Sequence, residues 1–359
     1  FSCGSTDADD DDWTVQQGDC DDTNPDVHPD APELCDGLDN DCQDGVPADE
    51  ADADRDGFKG CDGDCDDTDP EVYPGAFDQP ANGVDEDCDG REEGPAITQV
   101  DGGLFDSMAL DIDGRVWAWG VNFAVVDLTS DEFYQTSPML VPGLPSDTPV
   151  VAISSGWAHS LVLLEDGSVM AWGDNSAGQL GDGTDLPGST TPRPVIGLPT
   201  GNPVVAISGG YIHSFALLAD GSVMAWGASS SETSTTYYNT PVAVAGLPAG
   251  SPVVDIDAGY LHSLAVLEDG SVLDWGDFTV LPTTVAGLPS GNPVVDVSAG
   301  YGHSLALLED GSVMAWGDNS GGQLGDGTTS SSSTPVAVSG LPAGNPVVAV
   351  GAGFSHSLA

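Results

Sequence analysis

From Ile97 to the end of the chain, apolar and polar positions alternate in short runs, too brief for helices and rich in β-branched side chains. One cycle reads "VVDVSAG" (Val294–Gly300), "HSLALLE" (His303–Glu309) and "SVMAWGD" (Ser312–Asp318), and each run predicts a strand. A fourth strand, as in "TPVAVSGL" (Thr334–Leu341), follows a stretch of variable length. From Val150, Val204, Val253, Val294 and Val347 to the next histidine is always nine residues, and from histidine to the tryptophan of Trp-Gly always 13 where both exist. The tryptophans themselves, Trp119, Trp172, Trp226, Trp275 and Trp316, are 53, 54, 49 and 41 residues apart. All variation therefore lies after the tryptophan and before the next Pro-Val-Val, as in a repeat architecture with one changeable loop per unit.

Between the second and third runs stands Asp-Gly: Asp113-Gly114, Asp166-Gly167, Asp220-Gly221, Asp269-Gly270 and Asp310-Gly311. The pair predicts a two-residue hairpin turn, which demands positive φ. Four short antiparallel strands in ~50 residues make a propeller blade. The expected fold class is all-β: a β-propeller of four-stranded blades over residues 95–359, with five full blades and a partial sixth that stops at Ala359.

Five units carry His-Ser (His159-Ser160, His213-Ser214, His262-Ser263, His303-Ser304 and His356-Ser357), and the first has Asp106 in place of the histidine. Histidine beside serine raises the question of hydrolytic chemistry. On a strand, adjacent side chains point to opposite faces. His303 shares a face with Leu305 and Leu307 and Ser304 with Ala306, so the pair cannot act as base and nucleophile within one blade. No acidic orienting group recurs with it either. The expected role is packing: a core imidazole bonded to a backbone carbonyl, and a small residue that lets blades stack closely. The tryptophans read the same way.

The strings "AGxxHSLAL" and "DGxVxxWG", with "DNSxGQLGDG" complete at Asp174–Gly183 and Asp318–Gly327, resemble the regulator-of-chromosome-condensation repeat family over residues 96–359. The resemblance implies a propeller that usually closes with seven blades, so a truncated one is expected here. Eukaryotic members of that family act as exchange factors for a small GTPase, and some secreted bacterial members inhibit β-lactamases. A shared fold transfers neither activity.

Ahead of Gly94 the pattern changes. Residues 1–94 hold 33 of the 59 acidic side chains and all seven cysteines, and the whole chain has five basic residues and a formal net charge of −54. Such a surface excludes binding to nucleic acid or to an anionic membrane through basic residues. It also makes counter-cations part of the folded state. No apolar run approaches the ~20 residues of a membrane span.

Two copies of one pattern occupy 7–45 and 52–90: "DADDDDW" returns as "DADRDGF", and "GDCDDTNP" as "GDCDDTDP". Asp52, Asp54 and Asp56 alternate ahead of Gly57, as ligands do in the first half of an EF-hand loop. The twelfth position is Gly63, so Asp62, Asp64, Asp66 and Asp67 are expected to close the shell. The first copy offers Asp7, Asp9, Asp11, Asp19, Asp21 and Asp22, with Asp12 where the turn glycine would stand. Hard carboxylate oxygens without histidine favour Ca²⁺ over copper or zinc. The plain alternative is a solvated acidic linker.

Cys20 matches Cys65 and Cys42 matches Cys88, whereas Cys35 and Cys61 lack counterparts. Six cysteines permit 15 pairings, and the sequence does not choose among them. The string "GDCDDTNPDVHPDAPELCDGLDNDCQDG" resembles the metal-binding repeat of secreted bacterial surface proteins, sometimes described as copper-binding, over residues 7–91. The second copy departs from it, with Pro80 at the place of Cys35. Residues 1–6 resemble the processed start of a bacterial lipoprotein, with Cys3 as the lipidated residue and the one route to a membrane. These features place the chain outside the cytoplasm, as a secreted or outer-surface protein of a bacterium.

If the frame is structural, function belongs to the variable loops. Phe123, Phe133, Tyr134, Tyr237, Tyr238 and Phe278 are their aromatic residues and the expected partner contacts. The leading expectation is a non-enzymatic surface or secreted protein in which calcium-binding repeats present a propeller to a protein or glycan. Two alternatives are sequestration of copper or calcium and a propeller lyase or hydrolase.

Overall fold

The computed structural model describes all residues except 1–6, 44, 79–83, 91–95, 105, 121–134, 232–233, 261, 277–280 and 343. Cys3, Phe123, Phe133, Tyr134 and Phe278 lie outside the described residues. The chain forms two compact units, Phe1–Ala96 and Ile97–Ala359.

The first unit is loop-rich and includes three single-turn 3-10 helices, Val15–Gln17, Ala48–Glu50 and Gly60–Asp62. Its buried apolar side chains are few, Val27, Ala31 and Val72. Cross-links compensate by constraining the unfolded chain. Cys20–Cys42 and Cys65–Cys88 close the equivalent loop of each copy, and Cys35–Cys61 joins one copy to the other. Trp13 stacks on His28, and Phe58 stacks on Tyr73 at the matching positions of the second copy.

The second unit consists of five four-stranded antiparallel sheets and a final two-stranded one. Blade 1 holds β1 (Ile97–Gly102), β2 (Asp106–Asp111), β3 (Val116–Gly120) and β4 (Gln135–Leu140). Blade 2 holds β5 (Val150–Ser155), β6 (His159–Leu164), β7 (Val169–Asp174) and β8 (Gly188–Pro194). Blade 3 holds β9 (Val204–Gly209), β10 (His213–Leu218), β11 (Val223–Ser231) and β12 (Ser234–Ala243). Blade 4 holds β13 (Val253–Ala258), β14 (Ser263–Leu267), β15 (Val272–Trp275) and β16 (Thr283–Thr284). Blade 5 holds β17 (Val294–Ala299), β18 (His303–Leu308), β19 (Val313–Gly317) and β20 (Ser332–Ala337), and β21 (Gly351–Ala352) with β22 (Ser357–Leu358) begins the next unit.

The second strand of each blade is buried on both faces, because neighbouring blades cover it from either side. Apolar clusters accordingly run across junctions: Met108 and Val116 of blade 1 pack with Ile153, Val162 and Trp172 of blade 2. Trp226 likewise packs with Leu161, Ala171 and Leu180 of the preceding blade.

The Asp-Gly turn differs from the two-residue hairpin expected of it. Gly167 N donates to Leu164 O at 2.9 Å and Leu164 N to Ser168 O at 2.9 Å, giving a three-residue loop in which Gly167 alone is left-handed, at φ +82°. The aspartate serves another purpose: Asp166 Oδ1 accepts both the amide and the hydroxyl of Ser168 at 2.9 and 2.6 Å. A Cβ on Gly167 would come within 2.8 Å of Pro203, the proline that opens the next blade. The hairpin glycine and the Pro-Val-Val step are thus two sides of one contact.

Candidate functional site

The His-Ser pairs do meet, but from one blade to the next. His159 Nε2 lies 2.8 Å from Ser214 Oγ, His213 Nε2 3.4 Å from Ser263 Oγ, His262 Nε2 2.8 Å from Ser304 Oγ and His303 Nε2 3.0 Å from Ser357 Oγ. In blade 1, Asp106 takes the histidine's place and accepts from Ser160 Oγ at 3.4 Å. The partner expected for the imidazole, a backbone carbonyl, is therefore corrected to a serine hydroxyl. Proton direction settles what the pair can do. Ser214 Oγ donates to Gln179 O at 2.9 Å and Ser357 Oγ to Gln323 O at 2.7 Å, so in these two pairs the Nε2–H of His159 and of His303 must be the donor to its serine. A serine whose proton rests on a carbonyl, beside an imidazole that donates, is not an activated nucleophile. Burial lowers the His159 pKa to about 3, which keeps the ring neutral.

Among the described residues, the junctions after blades 3 and 4 have no such glutamine carbonyl, and the one between blades 4 and 5 differs further. Asp274 stands where the other blades have Ala171, Ala225 and Ala315, and it faces the same side as His262. Burial lowers His262 while the charges of Asp274 and Asp257 draw it upward. Among the described residues, Ser304 Oγ has the His262 ring as its hydrogen-bond partner and no glutamine carbonyl. A serine, a histidine and an acid thus come together once, but Asp274 hydrogen-bonds Trp316 and acts on the His262 ring through its charge. Ser304 is only 2% exposed, which leaves no path for a substrate carbonyl.

A different constellation opens to solvent. Trp157, Tyr211, Tyr260, Tyr301 and Phe354 each stand two residues before the histidine of their unit, and they pack in series with centroids 4.0, 3.9, 4.3 and 4.1 Å apart. This aromatic collar borders a central cavity of about 660 Å³, lined by the ends of the first strands and the glycine-rich turns that follow them. The backbone fixes it: Trp157 N donates to Gly210 O at 3.0 Å, Tyr211 N to Gly259 O at 3.2 Å and Tyr260 N to Gly300 O at 3.2 Å.

Beneath the collar a second set of links joins successive first strands. Asp101 Oδ2 accepts from Ser155 N at 2.7 Å, Ser154 Oγ from Gly209 N at 3.0 Å, Ser208 Oγ from Ala258 N at 2.9 Å, and Asp257 Oδ2 from Ala299 N at 2.7 Å. Burial raises both carboxyls above the usual range, and the charge of Asp257 adds to the rise at Asp101. Sequence reasoning looked for function in the variable loops and passed over this collar. Its signal was present: an aromatic residue after the glycine of "AGxxH" in five units. Of the expected loop contacts, Tyr237 is 61% exposed on the β11–β12 ribbon, whereas Tyr238 packs against the blade 3–4 core.

In the first unit, carboxylates converge at several places, among them the Asp-rich loop of each copy and Glu33, Asp39 and Asp41. Oxygens of Asp7, Asp9 and Asp11 lie within 4.8 Å of one another, as do those of Asp52, Asp54 and Asp67 and those of Asp54, Asp56 and Asp64. Asp11, Asp19, Asp56 and Asp64 each use Oδ1 to accept a backbone amide two residues on, leaving Oδ2 buried without a partner. Oxygens of Asp9, Asp22 and Asp54 are buried and unpartnered too. Burial, then repulsion from Asp11, Asp19 and Asp7, raises Asp9; burial raises Asp54, and Asp56, Asp64 and Asp67 repel it. Several buried, inward-aimed anions form a donor set that a hard cation fits. Asp12 adopts φ +75°, so the first copy makes with aspartate the turn that Gly57 makes at +102°. Asp21 and Asp66 instead bind the hydroxyls of Thr23 and Thr68, and Asp62 lies 3.2 Å from Cys35 Sγ. His28 stacks on Trp13, and its Nδ1 lies 3.0 Å from Pro29 O.

Comparison with known proteins agrees with this division. The RCC1-like domain profile matches residues 59–359, starting inside the second acidic copy although the strands begin at Ile97. A MopE-type motif described as metal-binding matches residues 19–48. Among curated proteins, Protein pim1 of Schizosaccharomyces pombe is 32% identical over 154 residues, 38% of this chain and 28% of its own length. The ultraviolet-B receptor UVR8 of Arabidopsis thaliana is 41% identical over 91 residues, 25% of this chain and 20% of its own. The chain thus spans less than a third of the length of these relatives. Among solved structures, human WBSCR16 superposes with a TM-score of 0.65 at 25% identity, covering 77% of this chain and 73% of that one. Prp20p of Saccharomyces cerevisiae, described with its binding to Gsp1p and histones, gives 0.62 at 25% identity, covering 73% and 67%.

Proposed function

This chain belongs to the RCC1-like domain family, and on that premise we propose that it is a non-enzymatic extracellular or cell-surface protein whose propeller binds a protein partner and whose acidic repeats hold calcium. The observation that carries the reading is the collar of five aromatic side chains around the central cavity, a half-buried apolar surface of the kind that anchors protein contacts. Prp20p, a propeller of the same build, binds Gsp1p and histones, which supports a protein in preference to a glycan. The inert direction of the His-to-Ser bonds and the burial of Ser304 support a binding role over a hydrolase or lyase.

Calcium is the metal that oxygen-only, carboxylate-rich loops suit best, whereas copper favours nitrogen and sulfur donors. In the repeats, bound calcium would neutralise the converging carboxylates and fix the loops that the disulfides close. Three disulfides support an extracytoplasmic location. A lipid anchor at Cys3 remains part of the proposal. The binding reading is tested by capture from envelope and host protein extracts. Replacing Tyr211 and Tyr260 with leucine should abolish capture by the folded chain; capture that survives would reject the collar as the binding surface. A second reading, sequestration of copper or calcium, rests on the same carboxylate clusters, and copper in metal analysis of the native protein would favour it over the structural-calcium reading.

A further inference from the structure

We propose that each acidic copy holds one cation site and that the two differ in kind: the second, braced by the Cys35–Cys61 bridge, fills with calcium first, and the first fills only at a higher concentration. The inference rests on the reading of the acidic repeats as calcium-holding and specifies how the two copies divide that task.

The ligand sets are alike. Asp9, Asp11 and Asp19 return in the second copy as Asp54, Asp56 and Asp64, and each of these aspartates has a buried oxygen without a partner. Asp19 and Asp64 are only 3% and 7% exposed, so neither lone oxygen can turn to water. Oxygens of Asp54, Asp56 and Asp64 lie within 4.8 Å of one another, which is what a hard cation needs. The backbone repeats as closely. Asp11 and Asp56 accept the amides of Trp13 and Phe58 at 2.7 and 2.8 Å, and the single-turn helices Val15–Gln17 and Gly60–Asp62 lead into Asp19 and Asp64.

The mountings are not alike. Cys61, in the middle of the helix between Asp56 and Asp64, is bonded to Cys35 of the first copy. A second strut supports the same helix. A Cβ on Gly60 would come within 3.1 Å of Asp49 Cβ in the helix Ala48–Glu50, and the buried Glu50 accepts Gly37 N at 2.8 Å, two residues past Cys35. The first copy has Gln16 for Cys61 and Val15 for Gly60, and both are exposed, Val15 at 63%. Holding the anions together before the metal arrives lowers the ordering cost of binding, and site rigidity is one of two quantities that set calcium affinity. The other, ligand charge, runs the opposite way. Residues 7–19 carry six acids and no base, whereas residues 52–64 carry five acids with Arg55 and Lys59. Most of the charges that differ, Asp10, Asp12, Arg55 and Asp62, are exposed and screened at physiological salt, while a covalent brace is not. The brace therefore decides the order.

The test titrates the full chain, stripped with EGTA and exchanged into buffer at physiological salt, with calcium alone in a calorimeter. Two binding events about tenfold or more apart are expected. Asp54→Asn with Asp64→Asn should remove the tighter event, and Asp9→Asn with Asp19→Asn the weaker. Cys35→Ser with Cys61→Ser should weaken the tighter event several-fold and leave the weaker in place, with melting curves confirming that the variants fold. If the serine variant does not fold, Glu50→Ala, which keeps every cysteine, decides in its place and should weaken the same event. Two events of equal affinity, a reversed assignment, or a tighter event that the deciding variant leaves unmoved overturns the proposal and leaves the calcium reading standing. No binding of calcium at all rejects that reading and this inference together.

Discussion

His159 Nε2 and Ser214 Oγ stand 2.8 Å apart across a blade junction, and Ser214 hands its own proton to Gln179 O at 2.9 Å. Removing the hydroxyl leaves a buried imidazole N–H without a partner, while Gln179 O keeps the indole N–H of Trp226 at 2.9 Å. Ser214→Ala should therefore destabilise the propeller by about 1–3 kcal/mol, read as a lower denaturant midpoint. A midpoint shift within error would show that the relay carries no stability.

Asp106 makes the first junction sensitive to pH. Burial raises its pKa to about 7 in the folded chain, against an ordinary 3.8. A raised carboxyl stabilises most when protonated: its contribution is complete below about pH 4 and is lost as pH rises through 7. Stability should fall across that window by as much as a few kcal/mol, at ~1.4 kcal/mol per pKa unit. Asp106→Asn, neutral throughout, should flatten the slope of melting temperature against pH. Some slope should remain, because Asp255 is also raised to about 7, by burial and by the charges of Asp296 and Asp257. An unchanged slope would clear Asp106 of the effect.

Chelation should separate the two units. With the carboxylates of Asp9, Asp11, Asp19, Asp54, Asp56 and Asp64 left facing one another, the first unit should melt at lower temperature in EGTA than in calcium. At a hundredfold excess over the dissociation constant, each site contributes ~2.7 kcal/mol. The propeller transition should not move. Calorimetry with and without chelator checks both, and identical traces would exclude structural calcium.

Two left-handed glycines provide an internal control. Gly167 and Gly201 have φ of +82° and +89°, but a Cβ meets Pro203 at 2.8 Å only in the first case, with nothing within 4 Å of the second. Alanine at either place costs roughly 1–2 kcal/mol for the backbone. Gly167→Ala should cost clearly more than Gly201→Ala, and equal midpoints would show that the Pro203 contact yields freely.

How much of this was legible follows from what each interaction depends on. Alternation and the constant Val-to-His and His-to-Trp spacings are local, so the blades and their strands could be read from residues such as Val294, His303 and Trp316. The faces of His303 and Ser304 were also readable. What joins them was not, because the partner of each histidine lies 42 to 55 residues away, on a strand whose facing side becomes known only once blades are stacked. The collar escaped for a related reason. Each aromatic residue is unremarkable within its own unit and becomes a surface only when five are brought to one opening. Asp274 was hidden by its rarity, since a repeat-wide search discounts a residue present once. In the acidic copies the spacing pointed to convergence, but which aspartates turn inward depended on backbone amides claiming the other oxygen.

Every link from blade to blade runs the same way along the chain: the histidine or the Asp or Ser near the end of one first strand reaches the unit that follows. Such a head-to-tail joint can be repeated from unit to unit wherever the residues of the common frame are kept. Copying one cycle of the gene in, or losing one, restores an equivalent joint at the seam without altering a single side chain. Tandem duplication of such a unit would lengthen the array, and each inserted copy that has an aromatic residue two positions before its histidine would bring one more ring to the opening.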